Sequence, residues 1–232
     1  MQSRPSRRLS MYDLAVFDVA GTVVTDDGIV IECFQQAFAM VVPITWADKK
    51  DEFMDYAQRT MGQSKVEVFK TLLGDDDLVG RTNDEFQNAY LERLEEIEPI
   101  EGVESLFETL REKGIKIALN TGFNRETLNT LIYNLGWQEL IDATATQTET
   151  GKGRPAPDMI QWVAKECGVE DPSRVAILGD TVSDIEAGIN FGAGMKIGVL
   201  SGFNDEQLLR SAGADEVFDD VTKAVDVLSG RN

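Results

Sequence analysis

From residue 100 onward the apolar positions switch between two periods. Val103, Leu106, Phe107 and Leu110 recur at i, i+3, i+4 and i+7, the spacing of one helix face. Gly114 stops that pattern, and the run IKIALN after it predicts a strand. Leu128, Leu131, Ile132 and Leu135 repeat the helical spacing up to Gly136. Ile160, Val163, Ala164 and Cys167 repeat it again up to Gly168. RVAILGD and MKIGVL are nearly continuous apolar runs, as strands covered on both faces are. Val221, Ala224, Val225 and Leu228 predict a last helix. Near the start, LAVFDVAGTVV (residues 14–24) reads as one more buried strand, broken by a carboxylate and a Gly-Thr turn. Strand and helix in regular alternation predict an α/β fold, a doubly wound parallel sheet with a Rossmann-like core.

Residues 30–98 break that rhythm. Helical patterns run over 31–41, 47–61, 65–73 and 82–97, with no convincing strand among them. The expected organisation is a frayed tail over 1–10, a core domain over 11–28 and 99–232, and an inserted helical cap domain over 29–98. The hinges would lie near 25–29 and 98–101. A cap of this kind closes over a polar site and excludes water. A length of 232 residues suits one domain with such an insert.

Charge and composition narrow the chemistry. A net charge of −19 argues against nucleic acid and anionic membranes as partners. It also repels phosphorylated metabolites, so a phosphate site would need local cations or a metal. No apolar run is long enough to span a bilayer, and the arginines of MQSRPSRRLS are followed by no apolar segment, so it is not a secretory signal. Cys33 and Cys167 each fall in an apolar helical pattern far from the other, the expectation being buried free thiols in a reducing cytoplasm. The chain has no histidine. That excludes Ser-His-Asp and Cys-His triads, histidine-ligated zinc and a histidine general base. Monomer and homodimer both remain open.

Four short stretches fall at predicted strand ends: Asp18 in FDVAGT, Thr121 in ALNTGFNRET, Arg154 in GKGRPAPDM, and Asp180 with Asp184 in ILGDTVSD. Each has a plain structural role open to it. Asp18 would serve a turn, Thr121 or Asn124 a helix cap, Arg154 the surface, and Asp180 and Asp184 a helix N-terminus. Open α/β sheets bind ligands at the carboxyl ends of their strands, so all four would converge on one crevice. Asp18, Asp180 and Asp184 then make an oxygen-rich cluster suited to Mg²⁺. The Thr121 hydroxyl and the amides around Gly21 and Gly122 would donate to phosphoryl oxygens, and Arg154 adds a planar cation. Asp18 could attack phosphorus to give an aspartyl-phosphate.

This set resembles the haloacid dehalogenase superfamily over essentially the whole chain after the tail, the helical insert looking like that family's first-type cap. The resemblance implies that Asp18 is nucleophile and metal ligand. The Ala20 carbonyl and Asp180 would be further ligands, Asp184 would act through the metal shell, and Thr121 and Arg154 would bind phosphate. Ala20 stands where most phosphatases of the superfamily carry a second Asp, which protonates the leaving alkoxide. The phosphonatase (phosphonoacetaldehyde hydrolase) branch has Ala there. It also has Arg at the third motif, as Arg154 is here, and a cap stretch Met-Gly-x-x-Lys, here MGQSK from Met61 to Lys65. TGFNRE and GDTVSD are similar to its second and fourth motifs.

In that branch the cap lysine condenses with the substrate aldehyde, and the imine becomes the electron sink for C–P cleavage. The resemblance so implies a Schiff base at Lys65, with Met61 beside the substrate. Three positions depart from the branch: Val68 replaces a histidine, Phe123 a tyrosine, and Gly28–Ile29 a region carrying a cysteine. The expected substrate is a small phosphonate or phosphorylated metabolite. The alternatives are a phosphomonoesterase resembling phosphoglycolate phosphatase, and a non-catalytic phosphate-ligand sensor.

Overall fold

The structure is a computed structural model that describes residues 10–230. The tail expected over 1–10 lies, apart from Ser10, outside the described residues. Strand β1 (Leu14–Phe17) is followed by four helices, α1 (Ile29–Val41), α2 (Pro43–Arg59), α3 (Lys65–Leu73) and α4 (Asp76–Leu91). The alternation then runs α5 (Val103–Glu112), β2 (Lys116–Thr121), α6 (Arg125–Leu135), β3 (Ala143–Thr146), α7 (Gln147–Thr150) and α8 (Asp158–Glu166). It continues with β4 (Val175–Gly179), α9 (Val182–Phe191), β5 (Met195–Val199), α10 (Glu206–Ala212), β6 (Glu216–Phe218) and α11 (Val225–Leu228).

The six strands form one parallel sheet in the order β3-β2-β1-β4-β5-β6. This is the doubly wound α/β architecture the alternation predicts. The central strand β1 is buried along its whole length, as its unbroken apolar run requires. Pairing Phe17 with both Leu119 and Leu178 brings the ends of β1, β2 and β4 level, so the residues just beyond them share one edge. The strand order reverses between β1 and β4, the place where such sheets open a crevice.

The helices between β1 and β2 carry their own aromatic core. Phe34 packs against Phe69 and Phe86 with ring centroids 5.3 and 4.9 Å away, and Phe38 against Phe53 at 4.8 Å. The two chain segments joining these helices to the sheet run side by side. Thr25 N–H donates to the Glu98 carbonyl at 2.8 Å, and Ile100 N–H to the Val23 carbonyl at 3.0 Å. Boundaries differ from the sequence expectation at several points. The second helix begins at Pro43, which suits a first helical position, rather than at 47. The fourth starts at Asp76, capped by Asp75, and ends at Leu91, the chain closing in a 3₁₀ turn at Leu94–Glu96. The last predicted helix is a 3₁₀ turn, Val221–Ala224, before α11. No helix among the described residues is long and apolar enough to cross a membrane. Cys33 and Cys167 are buried free thiols, and burial pushes them up to about 12 and about 11.

Candidate active site

Asp18 is the first residue beyond β1 and is 5% exposed; its N–H donates to the Leu178 carbonyl at 2.9 Å. Thr121 ends β2, Asp180 follows β4, and Asp184 sits in the first turn of α9. Arg154 reaches the same point from the loop between α7 and α8. Its Nη1 donates to Asp18 Oδ1 at 2.7 Å and also to Asp184 Oδ1. All five side chains are buried. The four stretches do converge on one crevice.

Several plain structural roles hold at the same time. Asn124 caps α6, its side chain accepting the Thr127 N–H at 2.8 Å. Thr121 Oγ1 accepts the Phe123 N–H at 3.3 Å. Asp184 closes a capping box with Thr181 at the start of α9, accepting that hydroxyl at 2.5 Å on Oδ2 while Oδ1 faces Arg154. Gly21 N–H bonds to the Val24 carbonyl at 2.8 Å, so it is not a free donor for phosphate. Ala20 is half-buried, and it lines the crevice with Gly122.

The donor set fits a hard divalent cation. Asp18, Asp180 and Asp184 each offer an oxygen, and the three lie within 4.8 Å of one another. Burial raises Asp180 well above the usual carboxylate range, and Asp18 adds to the rise. The Phe203 N–H at 2.7 Å pulls the other way. One guanidinium facing three buried carboxylates leaves negative charge that a cation would offset. Arg154 Nε is buried and has no hydrogen-bond partner among the described residues, which leaves that donor of the fork for an anion.

Met61 to Lys65 closes the crevice from the other side. Gly62 has φ +82°, and a Cβ there would run into the Thr181 side chain. A Cβ at Gly122 would stand 2.9 Å from the Gln63 carbonyl oxygen. Only glycine at both places lets this loop lie against the strand ends. Ser183 donates to the Met61 carbonyl at 3.1 Å, and Ser64 to the Gln147 side chain.

Lys65 is 6% exposed. Its Nζ lies 5.3 Å from the Phe34 ring centroid and 5.7 Å from that of Phe86. Those rings favour the ammonium. Burial outweighs them and, with the Arg154 cation, brings Lys65 down to about 8. The cavity shared by Asp18, Lys65, Thr121 and Arg154 measures about 30 Å³, room for roughly two waters. Asp26, at the segment leading into α1, lines it too. Nothing in the sequence singles out Asp26 beyond two adjacent acids in a turn. Tyr90 is buried beside Phe123, ring centroids 4.1 Å apart, and its hydroxyl has no partner among the described residues.

A parallel sheet that gathers acids, a threonine and an arginine at its strand ends is the arrangement of an α/β enzyme with its crevice at the strand-order reversal. A protein-family model described as haloacid dehalogenase-like hydrolase matches residues 12–192, and the chain belongs to that family. It is a hydrolase of the haloacid dehalogenase type. It is 31% identical over 215 residues to a phosphonoacetaldehyde hydrolase of Bacillus cereus, covering 83% of this chain and 77% of that protein. It is 32% identical over 209 residues to a bifunctional phosphonoacetaldehyde hydrolase/aminoethylphosphonate transaminase of Clostridioides difficile, covering 82% of this chain. The match spans about a third of that longer protein's length, 32%. A crystal structure of a hydrolase from Pseudomonas syringae superimposes with a TM-score of 0.81 at 23% identity, covering 94% of this chain and 98% of that one.

Proposed function

We propose that this chain cleaves the C–P bond of a small carbonyl-bearing phosphonate, with Asp18 as nucleophile and Lys65 as imine-forming amine. The observation that carries the reading is the burial of Lys65 in the cavity that also holds Asp18 and the unpartnered Nε of Arg154. A lysine brought down to about 8 is partly neutral near pH 7 and able to condense with a carbonyl. Ala20 places no acid where an alkoxide would need one, and an enamine leaving group needs none. The phosphonoacetaldehyde hydrolases among the relatives support the same chemistry.

In this reading residues 29–98 act as a cap, hinged at the paired segments near Thr25 and Glu98. A cavity of about 30 Å³ is too small for a phosphonate, so the closed arrangement must open to admit one. Arg154 and Thr121 hold the phosphoryl oxygens. Asp18, Asp180, Asp184 and the Ala20 carbonyl would hold Mg²⁺, which supplies Lewis-acid charge against the anionic substrate. Lys65 forms a C–N bond with the substrate carbonyl, water departing. The phosphoryl group then passes to an Asp18 oxygen, and the C–P electron pair moves into the imine to give an enamine. Water releases phosphate from Asp18, and the enamine is protonated and hydrolysed from Lys65.

A phosphomonoesterase is the second reading. It is favoured by Val68 and Phe123, which are buried and apolar where proton-transfer groups would help an imine form. Phosphate release from phosphonoacetaldehyde and from phosphomonoesters, with Mg²⁺ present, separates the two. With phosphonoacetaldehyde and borohydride, Lys65 should become covalently modified, read by peptide mass. Lys65→Arg should lose adduct and turnover together, since a guanidinium stays protonated. Near-full activity in Lys65→Arg would leave the lysine as a charge only and return the chemistry to phosphate esters.

A further inference from the structure

Condensation of an amine with a carbonyl moves two protons from nitrogen to the departing oxygen, so Lys65 needs a neighbour that carries them. The chain has no histidine, and Val68 and Phe123 offer no titratable atom. Three acids line the cavity: Asp18, Asp180 and Asp26. Asp18 is held by Arg154, and Asp180 by the Thr22 hydroxyl and the Phe203 N–H. Asp26 lines the same cavity from the segment leading into α1 and is paired with no cation among the described residues.

The Asp26 carboxylate is only half engaged. Oδ1 accepts the Val30 N–H at 3.0 Å, which secures the start of α1, and the Asp26 carbonyl accepts the Ile29 N–H at 2.7 Å. Oδ2 receives no hydrogen bond from the described residues. The residue before it, Thr25, is tied to the Glu98 carbonyl, so Asp26 is anchored at the hinge while Lys65 comes down on α3.

We propose that Asp26 is the acid–base residue that serves Lys65, Oδ2 ferrying protons between the amine and the substrate's carbonyl oxygen. The inference rests on the reading of Lys65 as an imine-forming lysine. Asp26 takes one proton from the Lys65 ammonium, and the neutral nitrogen attacks the carbonyl carbon. Asp26 gives its proton to the oxygen as the C–N bond forms, and takes a second proton from nitrogen. It delivers that proton to the hydroxyl, the C–O bond breaks with its electron pair on oxygen, and water leaves. Lys65 ends as a protonated imine, and Asp26 returns to a carboxylate. Ammonium plus aldehyde thus balances to iminium plus water.

The surroundings suit the role. Burial raises Asp26, and Asp18 and Asp27 add to this, while the Val30 N–H and Lys65 pull it down. Lys65 is itself brought down to about 8, so acid and amine approach each other and proton exchange between them is easy. The other titratable groups that feel Asp26 are Cys33 and Tyr90, both pushed up and neutral near pH 7.

The test is the rate at which phosphonoacetaldehyde is trapped on Lys65 by borohydride, with Mg²⁺ present. Asp26→Asn keeps an oxygen for the Val30 N–H, so the start of α1 keeps this bond. Trapping should slow by about 10²–10⁴-fold, and added formate should restore part of the rate. If wild type is labelled and Asp26→Asn is labelled within about tenfold, the Asp26 role is wrong and the lysine reading stands. If wild type is not labelled at all, the imine reading falls and takes this inference with it. Should Asp26→Asn melt early, Asp26→Ser, whose hydroxyl also caps helices, carries the same expectations.

Discussion

One nitrogen of Arg154 meets both Asp18 and Asp184, while its Nε meets no protein acceptor. That geometry makes the arginine a bridge between the proposed nucleophile and the start of α9, with one donor left for substrate. Ala20 is the opposite case, a side chain too short to reach anything charged. Replacing it with Asp adds a carboxylate to a cavity already lined by three. Ala20→Asp should therefore leave C–P cleavage no faster and lower it by drawing Lys65 into an ion pair. A large gain on phosphomonoesters, with no wild-type activity on phosphonoacetaldehyde, would show the site to be that of a weakened phosphatase. Asp18, Thr121, Arg154 and Asp180 were legible because each closes an apolar run or follows a glycine, and Asp184 because it stands four residues after Asp180 in GDTVSD. Asp26 was not. It lies in a turn with Asp27 beside it, and only the fold decides which of the two faces the cavity and which faces water.

Capping boxes do much of the positioning between elements. Thr181 with Asp184 starts α9, and Thr146 with Glu149 starts the four-residue α7, which lies next to the Arg154 loop. Burial works against the Glu149 charge, but the Arg125 guanidinium and the Thr146 N–H and hydroxyl outweigh it and hold Glu149 down at about 2. Arg125 Nε is 2.8 Å away. Because the folded-state pKa lies below the ordinary 4.5, this stabilisation is present in full above about 4.5 and is lost as pH falls toward about 2. Glu149→Gln should cost about 1 kcal/mol near pH 7, the usual size of a cap, and the difference from wild type should vanish at the acid end of that window. Thermal melts at several pH values check it; a difference independent of pH would assign the loss to packing. The buried strands β1, β2, β4 and β5 were readable as apolar runs, whereas the edge strands β3 and β6 were not. ATAT and EVF are short and partly exposed, and carry too few apolar residues to stand out from loop.

At the scale of the molecule, a net charge of −19 surrounds three clustered buried carboxylates, two of which, Asp18 and Asp184, share one cation, Arg154. The sequence marks the MGQSK loop, but not its approach to the strand ends. That approach is non-local, since Gly62 meets Thr181 and Gly122 meets Gln63 only after the sheet has formed. Charge repulsion inside a closed crevice should make the empty protein less stable than the loaded one. A ligand at about 100 times its Kd adds roughly 2.7 kcal/mol, and for a chain of this size each kcal/mol moves Tm by about 2–4 °C. Millimolar Mg²⁺ should then raise Tm by about 5–10 °C over the protein in EDTA, and phosphate release should depend on the same cation. Asp180→Asn separates binding from general ionic effects. It removes one of the three crowded charges, so it should melt higher than wild type in EDTA. It also removes a ligand, so the Mg²⁺ increment should largely disappear. A wild-type Tm indifferent to Mg²⁺, or an increment that survives in Asp180→Asn, would take the metal away from this cluster and leave Arg154 as the charge that draws an anion in.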